Sequence, residues 1–331
     1  MSTTCELPLG GRSFCPVVNL VFKGLRLQLV KRYWPVDCDC NFLILSVYQT
    51  SNMFREKRKF IAKALGVCVL CLCVLITKAQ NPSSIKVIAF YTAKRDQAHI
   101  TYVHEANKWF PKMAAKYNFS YDSTDNWTNL NAEFLSRYEV VLFLDTRPEA
   151  PEQREAFQKY IERGGGWIGF HFAGFALNNS DYPQNWDWYH NTFLGCGEYA
   201  SNTWRPTSAV LKVEDQKDPL TKNLPATFKT SPSEWYRWVK DIRTNPDIKI
   251  LLSVDPSSFP LGTKADETWH NGYYPIAWTN KKYNMLYTNW GHNDIDYENK
   301  TNKQLSFTFG NEIQDKWIVD AILLIGKKSK P

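Results

Sequence analysis

Short apolar runs and amphipathic stretches alternate along the chain from Ile85 onward. Ile85 to Tyr91 (IKVIAFY) is a β-rich run of strand length. His99 to Tyr117 then carries Tyr102, Ala106, Trp109, Phe110 and Met113 at helical spacing, with Pro111 a blemish because an interior proline removes a backbone donor. Tyr138 to Leu144 (YEVVLFL) is a second buried strand, and Pro151 to Arg163 a second helix with proline in its first turn, where a missing N–H costs little. Gly164, Gly165 and Gly166 stop that helix, and Trp167 to Phe170 is the next strand. Strand, helix, strand, helix, strand in short steps predicts an α/β fold: an open, mainly parallel sheet with helices on both faces.

Beyond about residue 205 the pattern changes. Val210 to Val213, Trp235 to Val239, Ile248 to Val254, Pro275 to Thr279 and Met285 to Trp290 read as strands with no helices between them. They predict added antiparallel strands in the C-terminal half, or a flanking β layer. A closing helix spans Ile313 to Ile325, with Ile313, Trp317, Ile318, Ala321, Ile322 and Ile325 on one face. There is no internal repeat and no low-complexity linker, so residues 80–331 read as a single domain.

The first 79 residues differ in kind. After Met53 come Arg55, Lys57, Arg58, Lys59 and Lys63, then the apolar run Ala64 to Ile76, then Thr77, Lys78 and Ala79. A basic n-region, an apolar core too short to span a bilayer comfortably and a small residue at the cut describe a secretory signal peptide over residues 53–79, with cleavage near Ala79 and a periplasmic or secreted product. Residues 1–52 then read as an over-extended start or a disordered segment; the rival is a cytoplasmic tail ahead of an uncleaved anchor. A lipid anchor fits less well, because Val67 precedes Cys68 and Leu72 precedes Cys73 where a small residue is required.

Charge divides at the same place. The formal net charge of +7 lies wholly in residues 1–79, with 11 Lys and Arg against 4 Asp and Glu; residues 80–331 hold 29 of each. The basic balance therefore gives no reason to expect a nucleic-acid partner, and no stable membrane partner is expected once the signal is cleaved. Seven of the eight cysteines precede residue 80, leaving Cys196 alone, which excludes a disulfide framework or a cysteine-built zinc site in the rest.

Ligands of open parallel sheets bind outside the carboxyl ends of the strands. Glu162 to Gly174 (ERGGGWIGFHFAG) delivers His171 to such an end among small residues, as a nucleophile elbow does; the competing reading is a core histidine with both nitrogens satisfied. Asp145 ends the preceding strand, where it serves binding or simply a turn. His99 opens the first helix and can donate to a substrate oxygen as a neutral ring, or merely cap the helix. His104 falls further along and faces solvent. Glu234, in SEWY, starts an aromatic-rich strand, with a salt bridge to Arg237 or Lys240 as its plain alternative. His292 follows a strand and a glycine in YTNWGH, repeating the logic of His171. A carboxylate near two imidazoles is the minimum equipment for acid–base work near neutral pH. Tyr182 to Asn191 is dense in Trp and Tyr beside Asn and Asp, which suits a sugar ring and equally suits a core. Trp188, Tyr189 and Trp290 are the candidate platform.

In this order these residues resemble the ThuA-like (trehalose utilisation) family of the class I glutamine amidotransferase-like fold, over about Ile85 to Lys327. The most specific element is GGGWIGFH (Gly164 to His171), supported by DWY (Asp187 to Tyr189), Phe193 to Gly195, Glu234 to Tyr236, Pro275 to Thr279 and Tyr287 to His292. The resemblance implies a flavodoxin-like sheet, a link to sugar catabolism, and His171, Glu234 and His292 lining one pocket. Glutamine amidotransferases need a cysteine at the elbow, where this chain has His171, so glutamine hydrolysis is not expected. After Phe193 the chain has Gly197, Glu198 and Tyr199 where the family pattern extends to His-Pro.

The expectation is an exported carbohydrate-catabolic enzyme, a lyase, isomerase or hydrolase on a sugar or keto sugar, with a small carbohydrate as its partner. His171 and His292 transfer protons, Glu234 orients one of them, and His99 and Asp145 bind substrate. The alternatives are a non-catalytic glycan-binding module and a metal-dependent hydrolase in which His99, His171, His292 and Glu234 hold a divalent metal; no other cofactor is implied.

Overall fold

The computed structural model describes residues 16–23, 26–33, 85–177, 185–203, 205–258, 273–293, 301 and 306–330. The expected signal peptide at 53–79 lies outside them. The chain divides into two compact units, 1–80 and 81–331. In the first, β1 (Pro16–Lys23) and β2 (Arg26–Tyr33) pair as an antiparallel hairpin, which the sequence pattern did not suggest.

The second unit is built on a nine-stranded sheet. Its parallel half holds β3 (Lys86–Phe90), β4 (Ser120–Thr124), β5 (Val140–Phe143) and β6 (Gly166–Phe170); its antiparallel half holds β8 (Val210–Val213), β9 (Thr227–Lys229), β11 (Ile248–Val254) and β12 (Pro275–Asn280). Between the halves lies β13 (Met285–Thr288), and the order across the sheet is β4-β3-β5-β6-β13-β12-β11-β8-β9. β13 runs parallel to β6 and antiparallel to β12. It was expected in an antiparallel extension or a flanking layer; instead it is the fifth parallel strand, and this carries the chain after it to the same rim as His171. Trp235 to Val239 takes the second of the two expected places, outside the main sheet. Its strand, β10 (Tyr236–Trp238), pairs with β7 (Tyr199–Asn202) in a separate two-stranded sheet.

Alternation along β3 explains the layers. Val87 and Ala89 face one core, with Tyr102, Val103, Ala106 and Phe110 of α1 (Gln97–Tyr117) and Trp317, Ile318 and Ile322 of α4 (Glu312–Lys328). Ile88 and Phe90 face the other, with Phe157, Tyr160 and Ile161 of α3 (Pro151–Glu162). A short helix, α2 (Ala132–Leu135), leads into β5. Pro111 sits inside α1 without ending it. In β6 a Cβ on Gly169 would lie 2.0 Å from the Trp167 ring, so the glycine two residues on from the tryptophan leaves that ring its place in the core. Mixed α/β architecture with helices on both faces is thus as the periodicity predicts.

Candidate functional site

Four segments far apart in sequence meet at the carboxyl edge of the parallel strands. β6 ends at Phe170, and the chain turns at His171 with φ +38°, a left-handed conformation that costs a β-carbon residue on the order of 1–3 kcal/mol. The turn is held by its own backbone: the Tyr287 hydroxyl donates to the His171 carbonyl at 2.8 Å, and Arg147 Nη1 donates to the Phe172 carbonyl at 3.0 Å. Ala93 and Arg95, in the loop between β3 and α1, also have positive φ. Asn118, with a like φ, is by contrast the ordinary C-cap of α1.

α1 begins on this rim. Asp96 caps it, its Oδ1 accepting from the Ala98 N–H at 2.7 Å. One turn on, the His99 ring lies 4.7 Å from that of His292 and 5.6 Å from that of His171, centre to centre; the His171 and His292 rings are 5.2 Å apart. His292 arrives on the loop after β13, behind Gly291. Gly291 has φ +134°, and a Cβ there would come within 3.1 Å of the Tyr102 ring and 3.3 Å of the His171 Cβ. Any side chain there would have to push those groups back by a few tenths of an ångström.

The fourth segment, Ser233 to Tyr236, closes the site. The Glu234 N–H donates to the His292 carbonyl at 2.8 Å, and His171 Nε2 is 3.0 Å from the Glu234 carbonyl and 3.6 Å from its Oε2. Tyr236 Oη is 3.1 Å from His171 Nδ1. A carbonyl only accepts, so the proton of neutral His171 sits on Nε2 and Nδ1 accepts from the tyrosine. The far edge is a second carboxylate–imidazole pair, His292 Nε2 at 3.6 Å from Asp96 Oδ2.

Burial sets the charges. His171 is 0 % exposed, and burial, then the rings of His292 and His99, hold it neutral well below the usual histidine range. His99 is pushed down to about 3 by burial first and by His292 second. The His292 imidazole holds the Asp96 carboxyl well below the usual carboxylate range. The His99 Nε2 and the Tyr102 hydroxyl are buried without a hydrogen-bond partner among the described residues, which marks a place for an ordered water or a ligand oxygen. Solvent reaches the edge of the group, where the side chains of His292 and Glu234 are 13 % and 11 % exposed.

The structure therefore brings His99, His171, Glu234 and His292 together and leaves the other expected residues elsewhere. Asp145 is a brace: its carboxylate accepts from the Thr92 and Ala93 N–H groups and the Thr92 hydroxyl, which holds the strained loop ahead of α1. Trp290 is fully buried against Trp317, its Nε1 donating to Thr230 Oγ1 at 2.7 Å. Tyr189 is fully buried and donates to the Ala173 carbonyl. Trp188 stacks on Phe193. Tyr189 and Trp290 are packed in the core, whereas Trp188 is only partly buried. His104 is exposed, as its place on the helix predicts.

Sequence reasoning missed Asp96 and Tyr236. Asp96 had a signal, an N-cap residue three positions before His99 and so on the same helix face. Tyr236 lay in the Glu234 to Tyr236 stretch, but nothing in the sequence tied it to His171, 65 residues away. A divalent metal does not fit the donors: both ring nitrogens of His171 are committed, and no group of three His, Cys, Asp or Glu among the described residues is arranged to hold one. A groove of about 260 Å³ between Arg237 to Arg243 and Tyr273 to Pro275 is lined by none of the imidazoles.

The family model for ThuA, trehalose utilisation, matches residues 86–307. Among solved structures, a ThuA-like protein from Bacteroides uniformis is 33 % identical with a TM-score of 0.65, covering 76 % of this chain and 96 % of its own. A ThuA-like protein from Parabacteroides merdae, 16 % identical with a TM-score of 0.52, covers 75 % of this chain and 92 % of its own and shares the fold. A comparison with curated proteins gives no match. A family match over most of the chain, with a one-third-identical relative aligned along nearly its whole length, places this protein in the ThuA family of trehalose utilisation.

Proposed function

We propose that the protein is an exported carbohydrate-processing enzyme that acts by acid–base chemistry on a sugar or keto sugar, as a lyase, isomerase or hydrolase. The observation that carries this reading is the His292–Asp96 pair at the accessible edge of the imidazole group, with Glu234 beside it. In this reading His292 takes a proton from the substrate, the ionised Asp96 stabilises the imidazolium, and Glu234 is the second carboxylate within reach for the return step. His99, neutral at the N-terminus of α1, holds a substrate oxygen with its Nε2. The fold extends to a flavodoxin-like, glutamine amidotransferase-like sheet in this reading, which the five adjacent parallel strands support. Glutamine hydrolysis is no part of it. A buried histidine holds the elbow, and Cys196 is itself buried, its thiol pushed far up.

A panel of keto-disaccharides and simple glycosides, offered to the wild-type chain and to His292→Gln, tests the reading. The variant should lose roughly 10²–10⁴-fold in kcat/KM with its fold intact. Full turnover by His292→Gln would refute it. A glycan-binding module is less well supported, because Tyr189 and Trp290 offer no exposed face.

A further inference from the structure

His171 occupies the position from which a reacting group would be displayed, yet nothing about its ring is available to react. It is 0 % exposed, and each nitrogen has one partner at hydrogen-bond distance: the Glu234 carbonyl on Nε2 and the Tyr236 hydroxyl on Nδ1. Its backbone is also held, by the Tyr287 hydroxyl on its carbonyl, and a Cβ on Gly291 would come within 3.3 Å of its own Cβ. The chain of contacts then leads outward. Glu234, whose carbonyl accepts from the His171 Nε2–H, donates its own N–H to the His292 carbonyl. One hydrogen-bonded path, Tyr236 to His171 to Glu234 to His292, thus links the buried floor to the edge that solvent reaches.

We infer that His171 is a positioning residue: oriented by the Tyr236 hydroxyl, it fixes the Glu234 main chain and through it the seat of His292, and it transfers no proton itself. A donor at the Nε2 position is all that the path asks of residue 171. Glutamine can supply one, since its amide nitrogen reaches about as far as Nε2, whereas it cannot act as an acid or base. Two neighbours make the orientation one-sided. The Tyr236 hydroxyl, held protonated by burial, can give Nδ1 a hydrogen bond and has no reason to take its proton, and Glu234 Oε2 at 3.6 Å favours the proton on Nε2.

The test has one arm without substrate and one with it. Long-range proton–nitrogen spectra of the imidazoles in the ¹⁵N-labelled full chain, with the His171 signals identified by their loss in His171→Gln, should show the Nε2–H form unchanged between about pH 5.5 and 8, the range across which an ordinary histidine changes charge. Tyr236→Phe should mix the two neutral forms. A His171 that titrates within that range, or one protonated on Nδ1, overturns the inference. The second arm rests on the function proposed above. There His171→Gln should keep kcat/KM within about tenfold of wild type while His292→Gln loses 10²-fold or more. Folded His171→Gln as inactive as His292→Gln also overturns it. If the wild-type chain turns over none of the sugars, the proposed function fails and the spectra alone decide the role of His171.

Discussion

Asp96 caps α1 through one carboxylate oxygen and faces His292 with the other, so its shape and its charge can be removed separately. Asparagine caps a helix as well as aspartate does. Asp96→Asn should therefore keep the cap, losing stability only through the pair with His292, while lowering kcat/KM roughly 10-fold or more, because the imidazolium of His292 loses its counter-charge. Asp96→Ala should lose the same activity and a further ~1 kcal/mol of stability. Equal activity in the asparagine variant and the wild type would leave the pair without a catalytic part. Gly291 is the other position where one atom decides. An added Cβ meets Tyr102 and the His171 Cβ, and φ is +134°; Gly291→Ala should cost about 1–3 kcal/mol by urea denaturation. At this scale the strand-end logic that singled out His171 and His292 was sound, since a strand that ends on a turn must deliver its next side chain to the rim. Which of them has both ring nitrogens taken was not legible, because the partners of the His171 nitrogens come from residues 234 and 236.

The elements that could be read from sequence were those whose side chains face one environment at a regular period. β3, β5 and β6 are buried on both faces and appear as unbroken apolar runs, and α1, α3 and α4 keep an apolar stripe. β4 was invisible because it is an edge strand of polar sequence, SYDST, with no fully buried residue. β10 was visible as a strand but not in its pairing, since Tyr236 and Trp238 are apolar toward a core that either sheet can supply. The start of α4 gives a test at this scale. Asn311 accepts from the Gln314 N–H and also donates to the Lys229 carbonyl in β9. Asn311→Ala therefore removes a cap and a tie between helix and sheet edge, and should cost about 1–2 kcal/mol. Asn311→Asp, which keeps only the cap, should fall between that variant and wild type.

For the second unit as a whole, buried neutral histidines should dominate the response to acid. His99, His171 and His190 are all held below the ordinary histidine range, chiefly by burial. In the unfolded chain each takes up a proton near pH 6.5, whereas in the folded protein His99 does so only at about 3. The unfolded state thus binds more protons across that window, and stability must fall as pH falls, by up to about 1.4 kcal/mol per pH unit for each such group. Asp96, depressed by His292, adds to the loss only below the carboxylate range, while the carboxyls of Asp145 and Asp315, raised by burial, work against it just above that range. Residues 80–331 have no net formal charge, so general repulsion does not mask the effect near neutrality. Urea midpoints measured from pH 7.5 down to 5 should therefore decline continuously, beginning above pH 6. In His99→Gln the slope should be shallower by close to one proton. Midpoints flat over that range would mean that these rings carry a charge in the folded protein, and with it that the neutral, buried site described above is wrong.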